Sequence, residues 1–578
     1  MKDLWYIGNT SVRSPLRLRD GILALNNAPY LQGNIRGKNG DIAFRELLGR
    51  AEIVSLGEDS TNSVGRKWRA ALCKLGFLYP EIPKSSGLSQ KDLGPMDYIT
   101  PNGYRLAQAQ TVPSMQECFL RALVAQFIQY PLNENENAFF SPFRFVLSIM
   151  LALEKEIGSS AITFLEIATI VQLSNPGEPI SIIVHDIIDL RNNLEQILNK
   201  RQFISNLYKK TAAEIGKIEN TLRDYADANI RYLKASGLLQ SKGKGVIIIP
   251  EKHLLAELIV NMTPLPESLL ERYQLLCNGS PLPTDEEYSA LSVLRESIKT
   301  LRDADIDFDL GKYELNTTAG ISVAQHDIDD LIVKRKEENY AKNQICQWNE
   351  IVQYIDLIIN GRGRKITHDG NELYIPSSEY PAYFEWIIWR AFLAINSLLN
   401  KPYDARRFNV DQDFFPVSTA PGNGPDLILE FSDYFLVVEV TLTESSRQEA
   451  AEGEPVRRHV ATIALQSNKP VVCLFIANHI DSNTAETFRN GIWFTKDDTK
   501  IILNIVPMDL VQFKSIFSAL FLSGKIDNQI ILKLLKKCRD RRLEAEAPGW
   551  KRIIQKEVSS LVQSLTGDVT SNRGNTAK

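Results

Sequence analysis

Two carboxylates thirteen positions apart, Asp426 and Glu439, are the residues of this 578-residue sequence best placed to do chemistry. A Pro421-Gly422-Asn423-Gly424 loop leads through Pro425 into Asp426. Two apolar runs follow, Leu427 to Phe431 and Tyr434 to Val440, separated by Ser432-Asp433. Branched and aromatic residues bounded by turn residues predict a hairpin. A two-residue turn at Ser432-Asp433 sets Phe431 opposite Tyr434, and the same register sets Asp426 opposite Glu439, with facing Cβ atoms about 4.5–5.5 Å apart. Glu439 is flanked by Val437, Val438 and Val440, where an unpaired charge is costly. Carboxylates that close repel unless something positive lies between them, and a hard divalent cation held by oxygen ligands is the natural candidate. The plainer alternative is a Pro-Asp that opens a strand and a Glu that faces water.

The neighbouring elements must position these groups. Glu454-Pro455 reads as a helix start, since proline and acids suit the first turn. Val456, Val460, Ile463 and Ala464 then recur at helical spacing, giving a face to pack on the hairpin. Arg457, Arg458 and His459 fall in that first turn. Arg458 could hold a phosphate or be part of a solvated basic turn. Glu452 is a third carboxylate or a solvated loop residue. The run Pro470 to Ala477 suits a buried parallel strand, and Ile501 to Val506 an edge strand. Upstream, Pro381 to Phe392 is a helix crowded with aromatics that carries Glu385, either an outer carboxylate, a partner for Arg390 or a solvent-facing residue. Residues 508–565 read as helical and basic.

Pro425-Asp426 followed by Glu439-Val440-Thr441 resembles the PD-(D/E)XK nuclease core, with Thr441 in the position usually held by Lys. The order strand, strand, helix, strand fits that core. The EVT triplet followed by EGEPV-x-RH, Glu452 to His459, resembles the AlwI-like type IIS restriction and nicking endonucleases. This resemblance implies Mg²⁺-dependent hydrolysis of a DNA phosphodiester, with Asp426, Glu439 and the Val440 carbonyl as metal ligands. It further implies Glu452 and Thr441 as residues standing in where Lys is missing, Glu385 as an outer carboxylate, and Arg458 and His459 as phosphate contacts.

The bulk composition sets outer limits. With 44% hydrophobic and 24% charged residues the chain can bury several cores. A net charge of −4 does not announce a nucleic-acid binder, but residues 1–110 carry 15 Lys and Arg against 10 Asp and Glu, and residues 280–345 carry 8 against 14. A basic face suffices for DNA. Six scattered cysteines and six scattered histidines argue against a zinc site or a disulfide framework. With no signal-peptide run and no membrane-length apolar stretch, the expectation is a soluble protein of a reducing cytoplasm, a prokaryotic one as the resemblance implies.

Trp5-Tyr6-Ile7 reads as a short strand. Arg36 and Lys38 then sit in a Gly-rich loop able to approach phosphates or to be simply solvated. Residues 41–79 read as helices, with Trp68, Leu72 and Leu75 on one face. Helix, helix, LGF and an ITPNG turn at residues 99–103 resemble the winged-helix module of FokI-like and AlwI-like enzymes, which puts Arg66, Lys67 and Arg69 on or near a recognition helix; a solvated helix face is the alternative. Ser141-Pro142 and Thr163-x-x-Glu166 are helix starts. A helix ending at Gly237, a basic Lys242-Gly-Lys244-Gly turn and an apolar run to Ile249 look like a second winged helix with Lys242 and Lys244 on its wing, or a surface hairpin. DADIDFDLG at residues 303–311 lacks the EF-hand offsets, so 266–345 reads as a linker or connecting helices.

The fold class expected is multidomain and mainly α, with winged-helix DNA-binding modules at 1–135 and 136–265, an acidic helical linker at 266–345, and a C-terminal α/β PD-(D/E)XK nuclease domain at 346–578. The function expected is a type IIS restriction endonuclease acting on double-stranded DNA. It would cut both strands through a transient dimer or partner subunit, and a separate DNA methyltransferase would protect the host. The alternatives are a strand-specific nickase or large subunit of a heterodimer, and a non-catalytic winged-helix regulator.

Overall fold

The computed structural model describes residues 3–51, 53–54, 63–130, 139–368, 371–377, 379–444 and 446–573. They fall into two compact units, Met1–Ile332 and Val333–Lys578. The three N-terminal segments expected from sequence thus share one unit. The expected boundary at 135 lies outside the described residues, and the one expected at 345 falls at 332, within the helix Thr318–Asn343.

The first unit is mainly helical. Trp5 to Ile7 forms no strand: the Trp5 N–H donates to the Gln172 carbonyl (3.1 Å) and the Ile7 N–H to Asn229 Oδ1 (2.8 Å), so no ladder is made. The Gly-rich stretch is likewise no open loop, because a helix begins at Gly37 and runs to Arg50, with Arg36 at its N-cap. It packs against the helix Ser63–Lys74, which buries Trp68 and Leu72 as their spacing required. A single antiparallel bridge, Leu78 to Ile99, follows, and Thr100 caps the helix Pro101–Gln108 by accepting the Gly103 N–H (3.0 Å). Ser141 and the Thr163/Glu166 capping box start their helices as predicted. The helix Glu219–Ala235 leads into an antiparallel hairpin, Leu239–Lys242 with Gly245–Ile248, whose turn is Gly243-Lys244. The acidic segment is a helix pair with its own apolar seam: Ala290, Leu294 and Leu301 of Glu287–Asp303 are buried with Ile321, Ala324 and Ile328 of Thr318–Asn343.

The second unit is built on one four-stranded sheet. Its site-bearing elements are α1 (Tyr380–Ile395), β1 (Leu427–Glu430), β2 (Phe435–Thr441), α2 (Arg447–Gln466), β3 (Val471–Ala477), α3 (Ser482–Asn490) and β4 (Ile505–Asp509). The strand order is β4-β3-β2-β1, with β1 antiparallel to β2 and both other pairings parallel. Every residue of β3 is buried, as its unbroken apolar run requires of an interior strand. The run Ile501–Val506 is split. Lys500–Ile502 pairs with Ile492–Phe494 in a separate hairpin, and only Ile505 onward joins the sheet edge.

Alternation along the strands divides the core. Leu436 and Val438 of β2, with Leu427 and Leu429 of β1, face α1 and the C-terminal helices through Trp389, Phe392, Phe513 and Trp550. Val437, with Cys473 and Phe475, faces Val456 and Val460 of α2. Glu439 and Thr441 share the Val437 side by the period of two. Helices thus cover both faces and leave the C-terminal end of β2 as the place where polar groups gather. No helix among the described residues is long and apolar enough to cross a membrane.

Candidate active site

The hairpin register is the predicted one: Leu427 pairs with Val438 and Glu430 with Phe435, which sets Asp426 opposite Glu439 one step beyond the ladder. The Phe431 N–H donates to the Tyr434 carbonyl (2.9 Å), so the hydrogen-bonded pairs fall at every second residue outward from the turn, and the next due is Pro425 with Val440. Proline has no N–H to give the Val440 carbonyl. The Val440 N–H donates instead to Asp426 Oδ2 (2.7 Å). The ladder therefore ends with one backbone oxygen and two side-chain carboxylates at the same strand ends. The Asp426 carbonyl meanwhile accepts from the Arg407 N–H (3.2 Å), which fixes the strand entry on its outer side.

Glu385 is buried in α1 at 6% exposure. It is neither a partner of Arg390 nor solvent-facing. Its Oε2 accepts the Ala420 N–H (2.7 Å) and so holds the loop that leads into Asp426. Arg390 bonds Gln344, Glu350 and Gln347 instead, at 2.7, 2.8 and 2.7 Å. Burial, then the charge of Asp426, then that of Glu439 push the Glu385 carboxyl well above the usual carboxylate range, against the Ala420 hydrogen bond. Burial and then Glu439 do the same to Asp426, against the Val440 N–H. Burial and then Glu452 raise Glu439, against the nearby Arg458 charge. Three carboxyls raised first by burial and then by neighbouring carboxylates form a negative pocket short of positive charge.

The helix α2 departs from the sequence reading. It starts at Arg447 rather than at Glu454-Pro455, and Pro455 lies inside it. Glu452 is therefore a half-buried helical residue, and Arg457 to His459 lie in the fourth turn rather than at an N-terminus. With this start Gln448, Glu452, Val456, His459 and Ile463 form one stripe. His459, 6% exposed, brings Nδ1 within 2.8 Å of Glu439 Oε1, while its Nε2 is buried and without a hydrogen-bond partner. Burial and the Arg458 charge hold its pKa below the ordinary histidine value. Arg458 itself pairs with Glu454 at 3.1 Å. Thr441 is buried, and its Oγ1 accepts the Thr443 N–H (3.1 Å), so its hydroxyl is engaged in the turn that leaves β2.

Sequence reasoning missed Gln448. Fully buried, it donates from Nε2 to the Thr443 and His479 carbonyls (2.6 and 2.8 Å) and accepts the Asp481 N–H at Oε1 (2.9 Å). It ties the start of α2 to the chain leaving β2 and β3. Its place in the stripe was the available signal, hidden once Pro455 was read as the helix start.

In the first unit the candidate DNA-contact residues divide by exposure. Arg66, Lys38, Lys242 and Lys244 are exposed and Lys67 half-exposed. Arg69 is buried and bonds Asp41 Oδ1 (3.2 Å), pinning two helices together. Arg36 makes a two-point contact with the buried Asp97 (2.8 and 3.0 Å) and a further one with Glu81.

Among the described residues no group of three or more His, Cys, Asp or Glu stands ready to hold a metal ion. The set that fits a hard cation is smaller: the Asp426 and Glu439 carboxylates and the Val440 carbonyl, all oxygen donors in a negative field.

A sheet of this order, with carboxylates facing each other at the end of its hairpin, suits a hydrolase that directs water onto an electrophilic centre. The model of the AlwI restriction endonuclease family matches residues 73–516. The chain belongs to that family, and its class is that of DNA nucleases. Among solved structures, the small subunit of the heterodimeric restriction endonuclease R.BspD6I is 22% identical, over 36% of this chain and 98% of that one, with a TM-score of 0.27. The BpuJ1 endonuclease binding domain, in complex with pyrene- and phenanthrene-modified DNA, is 13% identical over 44% and 91%, also with a TM-score of 0.27. At these scores neither likeness defines the fold. No match was found among curated proteins.

Proposed function

We propose that this chain is a Mg²⁺-dependent, site-specific DNA endonuclease of type IIS character, with a PD-(D/E)XK core, which hydrolyses phosphodiesters near a short recognition sequence. The observation that carries this reading is the meeting of Asp426, Glu439 and the Val440 carbonyl where Pro425 ends the ladder. Asp426, Glu439 and Val440 would hold the cation, which when bound neutralises developing phosphate charge and lowers the pKa of water. The protein's own groups do the rest. If His459 Nδ1–H donates to Glu439, its buried Nε2 keeps a free lone pair, and we assign it to take the proton of an attacking water that enters with the substrate. This gives His459 the part that the absent Lys leaves open, with Glu452 supplying negative charge beside it. Glu385 positions the loop before Asp426. Arg458 meets a phosphate by exchanging its Glu454 partner. The exposed Lys38, Arg66, Lys67, Lys242 and Lys244 meet DNA in the first unit, in winged-helix fashion.

A non-catalytic regulator would gain stability by replacing buried, mutually repelling carboxylates with apolar residues, so the cluster favours an enzyme. One such site per chain cuts one strand, which keeps the nickase and the subunit of a heterodimer as second readings. The test is supercoiled plasmid with and without Mg²⁺. Discrete linear products only with Mg²⁺ support the endonuclease, open circles alone support the nickase, and unchanged DNA with Mg²⁺ present refutes both.

A further inference from the structure

One cationic loop of the second unit has no role in the site described above. Asn360-Gly361-Arg362-Gly363-Arg364-Lys365 joins the helix Trp348–Asn360 to a hairpin of Lys365–His368 and Asn371–Tyr374. Gly361 and Gly363 have φ of 84° and 83°, a left-handed conformation that side chains rarely adopt, and no atom lies within 4 Å of where their Cβ atoms would stand. The backbone is open to close approach, as at loops that cradle phosphate. Arg362 and Arg364 are exposed and have no acidic partner among the described residues. Other cations of this unit do have acidic partners. Arg390 and Arg406 are held by Glu350 and Glu337, and the adjacent Lys365 pairs with Glu372 at 2.7 Å.

The loop is also tied to the carboxylate site. The Tyr380 hydroxyl donates to the Gly361 carbonyl (2.7 Å), and the Arg362 guanidinium lies 6.0 Å from the Tyr380 ring centre. Tyr380 begins α1, the helix that carries Glu385 five residues later, about 7.5 Å along the helix axis. Two unpaired guanidiniums on an open glycine backbone, anchored to the helix that supplies a site carboxylate, fit a row of phosphates running past that site.

We propose that the Gly361–Arg364 loop grips backbone phosphates of the DNA beside the cleavage site. This rests on the reading of the chain as a DNA endonuclease. Arg362 and Arg364 are positioning residues: they hold the strand and take no part in bond breaking.

The test uses the full chain, plasmid cleavage in Mg²⁺ across a salt series, and gel shift of a mixed-sequence duplex in EDTA. For Arg362→Ala/Arg364→Ala the expected result is cleavage about tenfold slower at physiological ionic strength and near wild type at low salt, with an unchanged melting temperature. Each lost phosphate contact removes about 0.9 from the slope of log affinity against log salt, so the double variant's slope falls by about 2. Arg362→Lys/Arg364→Lys recovers most of the rate, and Tyr380→Phe shows a smaller loss of the same sign. Cleavage and salt slope of the double variant equal to wild type overturn the proposal and leave the endonuclease reading intact. A wild type that neither binds nor cuts DNA overturns both.

Discussion

Replacing Asp426 by Asn separates the cost of the carboxylate cluster from its use. At about 5 Å and an effective dielectric constant of about 20, two facing carboxylates repel by roughly 3 kcal/mol. Burial is the largest cause of the raised pKa of Asp426, Glu439 and Glu385, and for Asp426 the Glu439 charge comes next, with the sign of that repulsion. Asn keeps an oxygen for the Val440 N–H but loses the charge assistance of that bond, at a cost of about 1 kcal/mol. The metal-free Asp426→Asn protein is therefore expected to gain about 2 kcal/mol, or about 4–8 °C for a unit of this size. The assay is thermal unfolding of the full chain in EDTA and in Mg²⁺, beside plasmid cleavage. Wild type is expected to melt lower in EDTA and rise on adding Mg²⁺; the variant starts higher, rises less and does not cut. A variant that melts at or below wild type in EDTA refutes the electrostatic account, and one that still cuts refutes the site.

Other outcomes follow from the same geometry. His459→Ala is expected to lower the cleavage rate by 10²–10⁴, the range for a general base, while DNA binding in a gel shift is unchanged; a rate within threefold of wild type removes His459 from proton transfer. Gln448→Ala strips three hydrogen bonds and leaves the Asp481 N–H unpaired, so it should cost about 2 kcal/mol in a denaturant titration. Lys74, whose ammonium contacts the Tyr6 carbonyl and ring, has its pKa lowered by burial from 10.5 to about 7. Its contribution to stability is full above pH about 10.5 and lost as pH falls toward 7. Lys74→Met should flatten that pH dependence of melting, and an unchanged slope would show that Lys74 is not its source.

The central chemistry was legible because a hairpin's register follows from its turn. Once Ser432-Asp433 is the turn, Asp426 must face Glu439 whatever the rest of the chain does. The buried run of β3 and the capping residues Ser141 and Thr163 were equally local. What escaped depended on competition or on distance. Pro455 suits a first turn, but the Gln, Ala and Glu residues before it are strong helix formers and Gln448 anchors them, so the helix runs through the proline. Arg36 and Arg69 looked free because nothing in sequence announces that Asp97 and Asp41 stand beside them. Trp5 to Ile7 resembled a strand, yet its backbone partners are a helix-end carbonyl and an Asn side chain more than 160 residues away. The acidic segment read as a linker or connecting helices because its apolar seam is shared between two helices, each apolar on one face only.

The bond from the Val440 amide to Asp426 has a use beyond holding the strand end. Nearly every other amide of a sheet is tied to a backbone oxygen, whose electronic character hardly changes with solution conditions. This one is tied to a carboxylate oxygen. Its proton resonance should therefore shift whenever that carboxylate gains a proton or a cation, which gives the Asp426 site a spectroscopic reporter already built into the chain, readable with a single ¹⁵N-valine label and no change to the sequence.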